Sequence, residues 1–259
     1  MLDTKDTIRN IIIGSGVIGR ATGEFLEAHK KNVTYNDINI DILTKLKEQK
    51  KRTEKNINNE YDLYWICTAE WHVSNVLKKI KNKNAKIVIR STIKPNELRL
   101  YKKIYHFEHL AHMPEFLREK TALNDIFNSD RIIIGTYDSV MVTLLEHIFT
   151  DCNCPKIFCT PEESSLIKLT ANSWLAMQIS FWNEIKKLSD IFDNVNPQLI
   201  SNGVTMDHRI SKYGSNMIGR SFCGFCFPKD TKSLKEVFED NNLQSKMIDA
   251  LIKVNEEMK

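Results

Sequence analysis

The stretch Ile11-Ile12-Ile13-Gly14-Ser15-Gly16-Val17-Ile18-Gly19 begins as a β-branched apolar run, breaks into glycine and then opens an amphipathic segment. Strand, tight turn and helix follow one another without a gap, the setting in which a GxGxxG pattern carries meaning. The first glycine permits the turn, the second lets the backbone approach a pyrophosphate, and the third packs helix against strand. The helix entrance offers unpaired N–H groups to the anion. A second apolar run, ending in Asn36-Asp37, brings an acidic side chain to the spacing at which it can accept both ribose hydroxyls and repel a 2′-phosphate. The reading is therefore an NAD site built from Gly14, Gly16, Val17, Ile18, Gly19 and Asp37, with NADP disfavoured.

Outward from this turn, short β-branched runs alternate with longer amphipathic stretches. Strands are expected at 10–13, 33–35, 63–67, 86–90, 131–134 and 156–158, with helices from Val17 and over 40–46. Alternation of this kind predicts an α/β fold: a Rossmann-like, doubly wound parallel sheet with helices on both faces, complete by about Cys159. The first domain is thus expected over 1–159. Thr160-Pro161-Glu162-Glu163 is a helix-start signal, with Thr as N-cap, Pro at the first helical position and Glu completing a capping box. No Gly or Pro interrupts the chain from there to Asn196, so a single long helix should found an all-helical second domain over 160–259. Leu166, Leu169, Trp174, Phe181 and Trp182 on it read as core or subunit interface. The segment from Pro197 to about Pro228 reads as loop-rich, and two helical patterns close the chain.

Composition sets the bounds. The chain has 259 residues, 42% hydrophobic and 27% charged, with a net charge of +4, which describes a globular protein and excludes collagen, coiled coil and disorder. The basic excess is too slight for a dedicated nucleic-acid binder, so a small-molecule partner is expected and nucleic acid is not. The Lys/Arg-rich stretch at 47–55 lacks interleaved aromatics and reads as the solvated end of a helix. No apolar run approaches the roughly 20 residues a membrane helix needs, and residues 1–10 carry charges where a leader would be apolar, so no membrane and a cytosolic setting are expected. The six cysteines, at 67, 152, 154, 159, 223 and 226, read as reduced thiols.

Several residues could carry chemistry. Lys168 and Asn172 stand four apart on the long helix, on one face, where a cation and an amide could jointly hold a substrate oxygen. Cys226 precedes Phe227-Pro228-Lys229-Asp230, and a helix starting there would set the thiol by its positive end, favouring the thiolate. Glu115 and Glu119, in Pro114-Glu115-Phe116-Leu117-Arg118-Glu119, follow an apolar segment where strand ends of an open sheet deliver ligand-facing loops; either could be a base or a solvated charge. Cys223-x-x-Cys226 with Cys152-x-Cys154 could form a zinc site, but the Phe-Pro-Lys-Asp context accounts for Cys226 better. His106, His109 and His112 would be ligands only on a helix, whereas their segment reads as a strand running into a loop.

Taken together these stretches resemble the UDP-glucose/GDP-mannose 6-dehydrogenase family of nucleotide-sugar dehydrogenases. The resemblance runs through the glycine motif, Ser91-Thr92, Met113 to Glu119, Asn128-Ser129-Asp130-Arg131 with the apolar run after it, Ile167-Lys168 with Asn172, Asn183-Glu184, Asp207-His208-Arg209-Ile210 and Cys226-Phe227-Pro228-Lys229-Asp230. It implies oxidation of a sugar C6 alcohol to the carboxylate by two hydride transfers to NAD. Cys226 would attack the aldehyde to give a thiohemiacetal, oxidised to a thioester that water cleaves. Lys168 and Asn172 would stabilise oxyanions, Asp230 and a water near Thr92 would serve general-base work, and Glu119 would take part in hydrolysis. Glu115, Phe116 and Leu117 would contact substrate. Arg209 matches an arginine that reaches the neighbouring subunit's site across a dimer built on the long helix, so a homodimer is expected.

Family members are longer and continue into a second Rossmann-like domain. The glycine-rich loop preceding their reactive cysteine reads here Ser221-Phe222-Cys223-Gly224-Phe225-Cys226, with Ser221 and Cys223 in place of glycines and Phe225 in place of a small serine. Two competing readings are a two-domain β-hydroxyacid dehydrogenase, which also pairs a helix Lys and Asn but needs no thiol, and an inactive NAD-binding dimeric scaffold.

Overall fold

In the computed structural model, residues 8–58 and 60–259 are described; residues 1–7, which hold most of the charged N-terminal stretch, and Asn59 lie outside them. The chain divides into two compact units, with the division between Ser165 and Leu166.

The first unit is built on one sheet of eight strands: β1 (Arg9–Ile13), β2 (Asn32–Asn36), β3 (Thr53–Glu54), β4 (Leu63–Ile66), β5 (Lys86–Ile89), β6 (His109–His112), β7 (Ile132–Gly135) and β8 (Lys156–Cys159). Their spatial order is β3-β2-β1-β4-β5-β6-β7-β8. Helices α1 (Val17–Ala28), α2 (Ile40–Glu48), α3 (Glu70–Lys79), α4 (Glu97–Tyr105), α5 (Ala122–Phe127) and α6 (Ser139–Ile148) connect them. The order reverses between β1 and β4, which makes the carboxyl end of β1 the topological switch point of the sheet, where open α/β folds bind ligands.

Alternation explains the two cores. Ile12 packs in a cluster with Phe25, Trp65 and Val88, while Ile11 and Ile13 face the opposite cluster with Tyr64, Ile66 and Ile87. A strand buried on both faces must be apolar throughout, and β4, Leu-Tyr-Trp-Ile, is buried at every position.

The sheet departs from an all-parallel one at a single place: β6 and β7 pair antiparallel, through His112 opposite Gly135. The extra strand β3 is only two residues long and extends the β2 edge. The three histidines also resolve: His106 closes α4 in a left-handed conformation, with φ +56, and His109–His112 is the strand β6.

The long helix α7 (Pro161–Ser189) starts as its sequence predicts. Glu163 Oε2 accepts hydrogen bonds from both the Thr160 N–H and hydroxyl, and Thr160 Oγ1 accepts from the Glu163 N–H, a closed capping box. In the second unit α7 packs with α9 (Cys226–Asp240) and α10 (Lys246–Glu257) around Leu169, Ala176, Ile179, Leu234 and Leu251. The segment read as loop-rich contains another helix, α8 (Pro197–Val204), with Asn196 as N-cap and Pro197 at its first turn.

Candidate functional site

The glycine turn shows three distinct requirements. At Gly14, φ is +86, and a Cβ would lie 2.9 Å from the Cys67 carbonyl oxygen. At Gly19 a Cβ would fall 1.8 Å from the Gly14 carbonyl oxygen, so helix and strand could not approach as they do. At Gly16 a Cβ would meet nothing within 4 Å. Packing therefore explains the first and third glycines, while the middle one opens onto free space at the entrance of α1. That entrance has no side-chain cap, leaving its N–H groups for an anion. Asp37, just beyond β2, accepts from the Ser15 N–H at 2.7 Å and the Asn39 N–H at 2.8 Å, which fixes its carboxylate beside the turn. These residues fit the pyrophosphate and ribose of a dinucleotide.

The same carboxyl edge gathers the other loop candidates of the first unit. Backbone bonds continue the ladder past the strand ends, from Cys67 N to Ile13 O, Arg90 N to Ile66 O and Met113 N to Ile89 O. Thr68, Ser91 and Pro114 thus emerge side by side, and the Ser91 hydroxyl donates to the Thr68 carbonyl at 2.5 Å. Thr92 is half-buried next to it. Glu115 accepts from the Leu117 N–H at 2.7 Å, so its carboxylate shapes its own loop. Phe116 lies under the Arg131 guanidinium at 4.2 Å, and Leu117 packs against the first core. Glu119 is exposed, at the start of a short 3-10 turn, Glu119–Thr121.

One residue here has no counterpart in the sequence reading. Arg90 is buried, and its Nε and Nη1 have no hydrogen-bond partner among the described residues. Burial lowers its pKa, while Cys67 and Glu115 act in the opposite direction. Burial likewise pushes the Cys67 thiol up to about 11, against the pull of Arg90.

In the second unit four expected residues come together. Lys168 and Asn172 project from one face of α7, and both are buried. Cys226 and Asp230 stand one turn apart at the start of α9, so they share a face. Asp230 is fully buried; its Oδ2 accepts from Asn172 Nδ2 at 2.5 Å and lies 4.0 Å from Lys168 Nζ. Lys229 Nζ stands 2.6 Å from the other oxygen, close enough for ion pairing but not aligned as a hydrogen bond. Two ammonium groups thus flank one carboxylate, and the cluster is electropositive one turn from the exposed thiol of Cys226.

The loop leading to Cys226 is tied at both ends by buried asparagines. Asn183, on α7, donates to the Arg220 carbonyl and accepts from the Gly219 N–H, each at 2.8 Å. Asn255, on α10, accepts from the Phe222 N–H at 2.6 Å and donates to its carbonyl at 3.1 Å. Asn255 was not anticipated from sequence, where a lone helical asparagine gives no signal. Arg209 is exposed and forks onto its neighbour Asp207 at 2.6–3.1 Å.

Comparison with known proteins bears on both units of the chain. Residues 52–153 match the NAD binding domain of the UDP-glucose/GDP-mannose dehydrogenase family, and residues 162–257 match that family's central domain. UDP-glucose 6-dehydrogenase of Campylobacter jejuni is 34% identical over 189 residues, 71% of this chain and 47% of that protein. The enzyme of the same name from Rickettsia bellii is 33% identical over 213 residues, 79% of this chain and 48% of its own length. The chain spans about half the length of these curated relatives. Among solved structures, a UDP-glucose dehydrogenase from Pyrobaculum islandicum superposes with a TM-score of 0.87 at 23% identity, covering 99% of this chain and 70% of the other. GDP-mannose dehydrogenase from Pseudomonas aeruginosa gives 0.68 at 23% identity, with 97% and 69% covered. With both domain models matched in order along the chain, it belongs to the UDP-glucose/GDP-mannose dehydrogenase family.

Proposed function

We propose that this chain carries out, alone or as part of a longer protein, the NAD-dependent oxidation of a nucleotide-sugar C6 alcohol to the uronic acid, with Cys226 as covalent nucleophile. The observation that carries the reading is the convergence of Lys168, Asn172 and Asp230 one helical turn from an exposed Cys226. NAD, when bound, accepts a hydride in each of the two oxidations. The Cys226 thiolate attacks the intermediate aldehyde to give a thiohemiacetal, and the second oxidation yields a thioester. The Lys168 ammonium and the Asn172 amide hold the oxygen on which negative charge develops, and their burial strengthens that interaction. Asp230 keeps both donors in place and, with Thr92, serves general-base work through water; Glu119 takes part in thioester hydrolysis. Glu115, Phe116, Leu117 and Arg209 are assigned to substrate. Gly14, Gly16, Val17, Ile18, Gly19 and Asp37 hold the cofactor.

Two further assignments belong to this reading. A cytosolic setting is assigned because the reaction acts on charged sugar nucleotides; among the described residues no helix is long and apolar enough to cross a membrane. A homodimer forms on α7, supported by large apolar side chains that the helix leaves exposed, Trp174, Phe181 and Leu188 among them.

The test is turnover of the purified protein with NAD and a panel of UDP-sugars, GDP-sugars, free sugars and small hydroxy acids. The reading expects about two NADH per acid formed, and loss of acid formation in Cys226→Ser. One NADH per product with an indifferent Cys226→Ser variant would make it a simple hydroxyacid-type dehydrogenase instead. Tight NAD binding with no turnover on any member of the panel would make it a scaffold.

A further inference from the structure

Cys223 and Cys226 stand three residues apart at the entrance of α9, and both are exposed. Cys67, Cys152, Cys154 and Cys159 are only half-exposed, and burial pushes the thiols of Cys67 and Cys159 up to about 11. The chain around the pair is fixed on both sides: Asn255 pins Phe222 through two hydrogen bonds, and Cys226 is the first residue of the helix. Between them lies an open bend. Gly224 has φ +80, and an added Cβ there would meet no atom within 4 Å, while Phe225 is 56% exposed.

A disulfide needs Cα atoms about 4.4–6.8 Å apart, a span that a reversed turn of this spacing covers. Gly224 and Phe225, the two residues between the thiols, are both exposed, and a side chain added at Gly224 meets no neighbour, so the bend has room to rearrange. Among the described residues no group of three or more His, Cys, Asp or Glu side chains is placed to hold a metal ion. Two exposed thiols at this spacing can undergo thiol–disulfide exchange.

We propose that Cys223 and Cys226 are a reversible dithiol–disulfide pair that exchanges with small-molecule disulfides, Cys226 attacking and Cys223 resolving. The Cys226 thiolate attacks one sulfur of a disulfide such as oxidised glutathione; its S–S bond breaks, a mixed disulfide forms on Cys226, and one glutathione thiolate leaves. The Cys223 thiolate then attacks the Cys226 sulfur, forming the internal disulfide and expelling the second glutathione. Two electrons pass from the cysteine pair to glutathione disulfide, and the two thiol protons end on the two glutathiones released. Cys226 is assigned as the first attacker because it stands at the entrance of α9, with Cys223 in the loop before it. The consequence for turnover rests on the proposed role of Cys226: the closed disulfide removes the nucleophile, and reduction restores it.

Trypsin releases both thiols on one peptide, because Arg220 precedes Ser221 and Lys229 follows Cys226. The full chain is incubated with oxidised glutathione, its remaining thiols are alkylated, and peptide 221–229 is weighed. The expected product is lighter by two hydrogens, carries no glutathione and no alkyl group, and reverts with dithiothreitol. In Cys223→Ser the same treatment should leave one glutathione on Cys226. The proposal is overturned if the wild-type peptide stays alkylated at both cysteines, or if it holds glutathione without closing. Activity separates the two readings: acid formation should fall by about tenfold or more as the disulfide closes and should recover on reduction. If the peptide closes and the rate does not fall, the role of Cys226 in turnover fails and the redox pair stands.

Discussion

Gly16 and Gly19 look alike in the sequence and differ in what surrounds them. An alanine methyl at Gly19 would sit 1.8 Å from the Gly14 carbonyl oxygen, whereas at Gly16 it meets nothing. Gly19→Ala should therefore cost about 1–3 kcal/mol or more through forced separation of strand and helix, read as a lowered melting temperature without any ligand. Gly16→Ala, which puts a poor capping residue at the N-cap of α1, should cost only about 0.5–1 kcal/mol, yet weaken NAD about tenfold or more, because the methyl enters the space a pyrophosphate would take. Titration of NAD against both variants alongside thermal melts checks this. Equal affinity for NAD in Gly16→Ala and wild type would remove the glycine turn from the cofactor site. The turn was legible because glycine has one physical signature, the missing Cβ. Arg90 and Asn255 were not, since nothing in residue type separates a surface arginine from one buried at a strand end, or a solvated asparagine from one clasping a loop.

Between elements, the contact of α7 with α9 is partly electrostatic. Asp230 has no solvent exposure and is flanked by Lys168 and Lys229. Asp230→Asn keeps the shape and removes the counter-charge, so two ammonium groups remain against one neutral amide. Losing one partner of a buried pair costs about 3–5 kcal/mol, and a loss of that order is expected in urea unfolding. Lys168→Met should be destabilising as well. Because both substitutions act on one contact, the double variant should lose at least about 1 kcal/mol less than the sum of the singles. Strict additivity would mean that the 4.0 Å approach of Lys168 to Asp230 carries no energy. The shared helix face of Lys168 and Asn172 was readable from spacing alone, and the capping box at Thr160 gave the start of α7. Missed elements have physical reasons. The strand β3 is too short for any alternation, and α8 was hidden because Asn196-Pro197, read as loop punctuation, is also the N-cap and first turn of a helix. The antiparallel β6–β7 pairing depends on the path of the chain between the strands, which residue patterns do not encode.

For the molecule as a whole, the side chains that remain uncovered on α7 are the informative ones. Trp174, Phe181 and Leu188 follow one another at intervals of seven residues and are 59%, 53% and 55% exposed. Two turns of helix separate each from the next, so they form one stripe that drifts only about 20° per step. Large apolar side chains in such a row mark an interface, and two copies of the same stripe can face each other about a twofold axis. The wild-type chain is therefore expected to sediment as a dimer at micromolar concentration. The double substitution Trp174→Glu and Phe181→Glu should shift it to monomer by bringing like charges together across the axis, with far-ultraviolet circular dichroism unchanged because both side chains point away from the unit's core. Trp182, buried beside this row, serves as the internal control: Trp182→Ala should cost about 3–5 kcal/mol of stability, the range for removing a core tryptophan. If the wild type sediments as a single chain at tens of micromolar, or if the glutamate variant remains a dimer, α7 is not the interface and the stripe must be covered by something else.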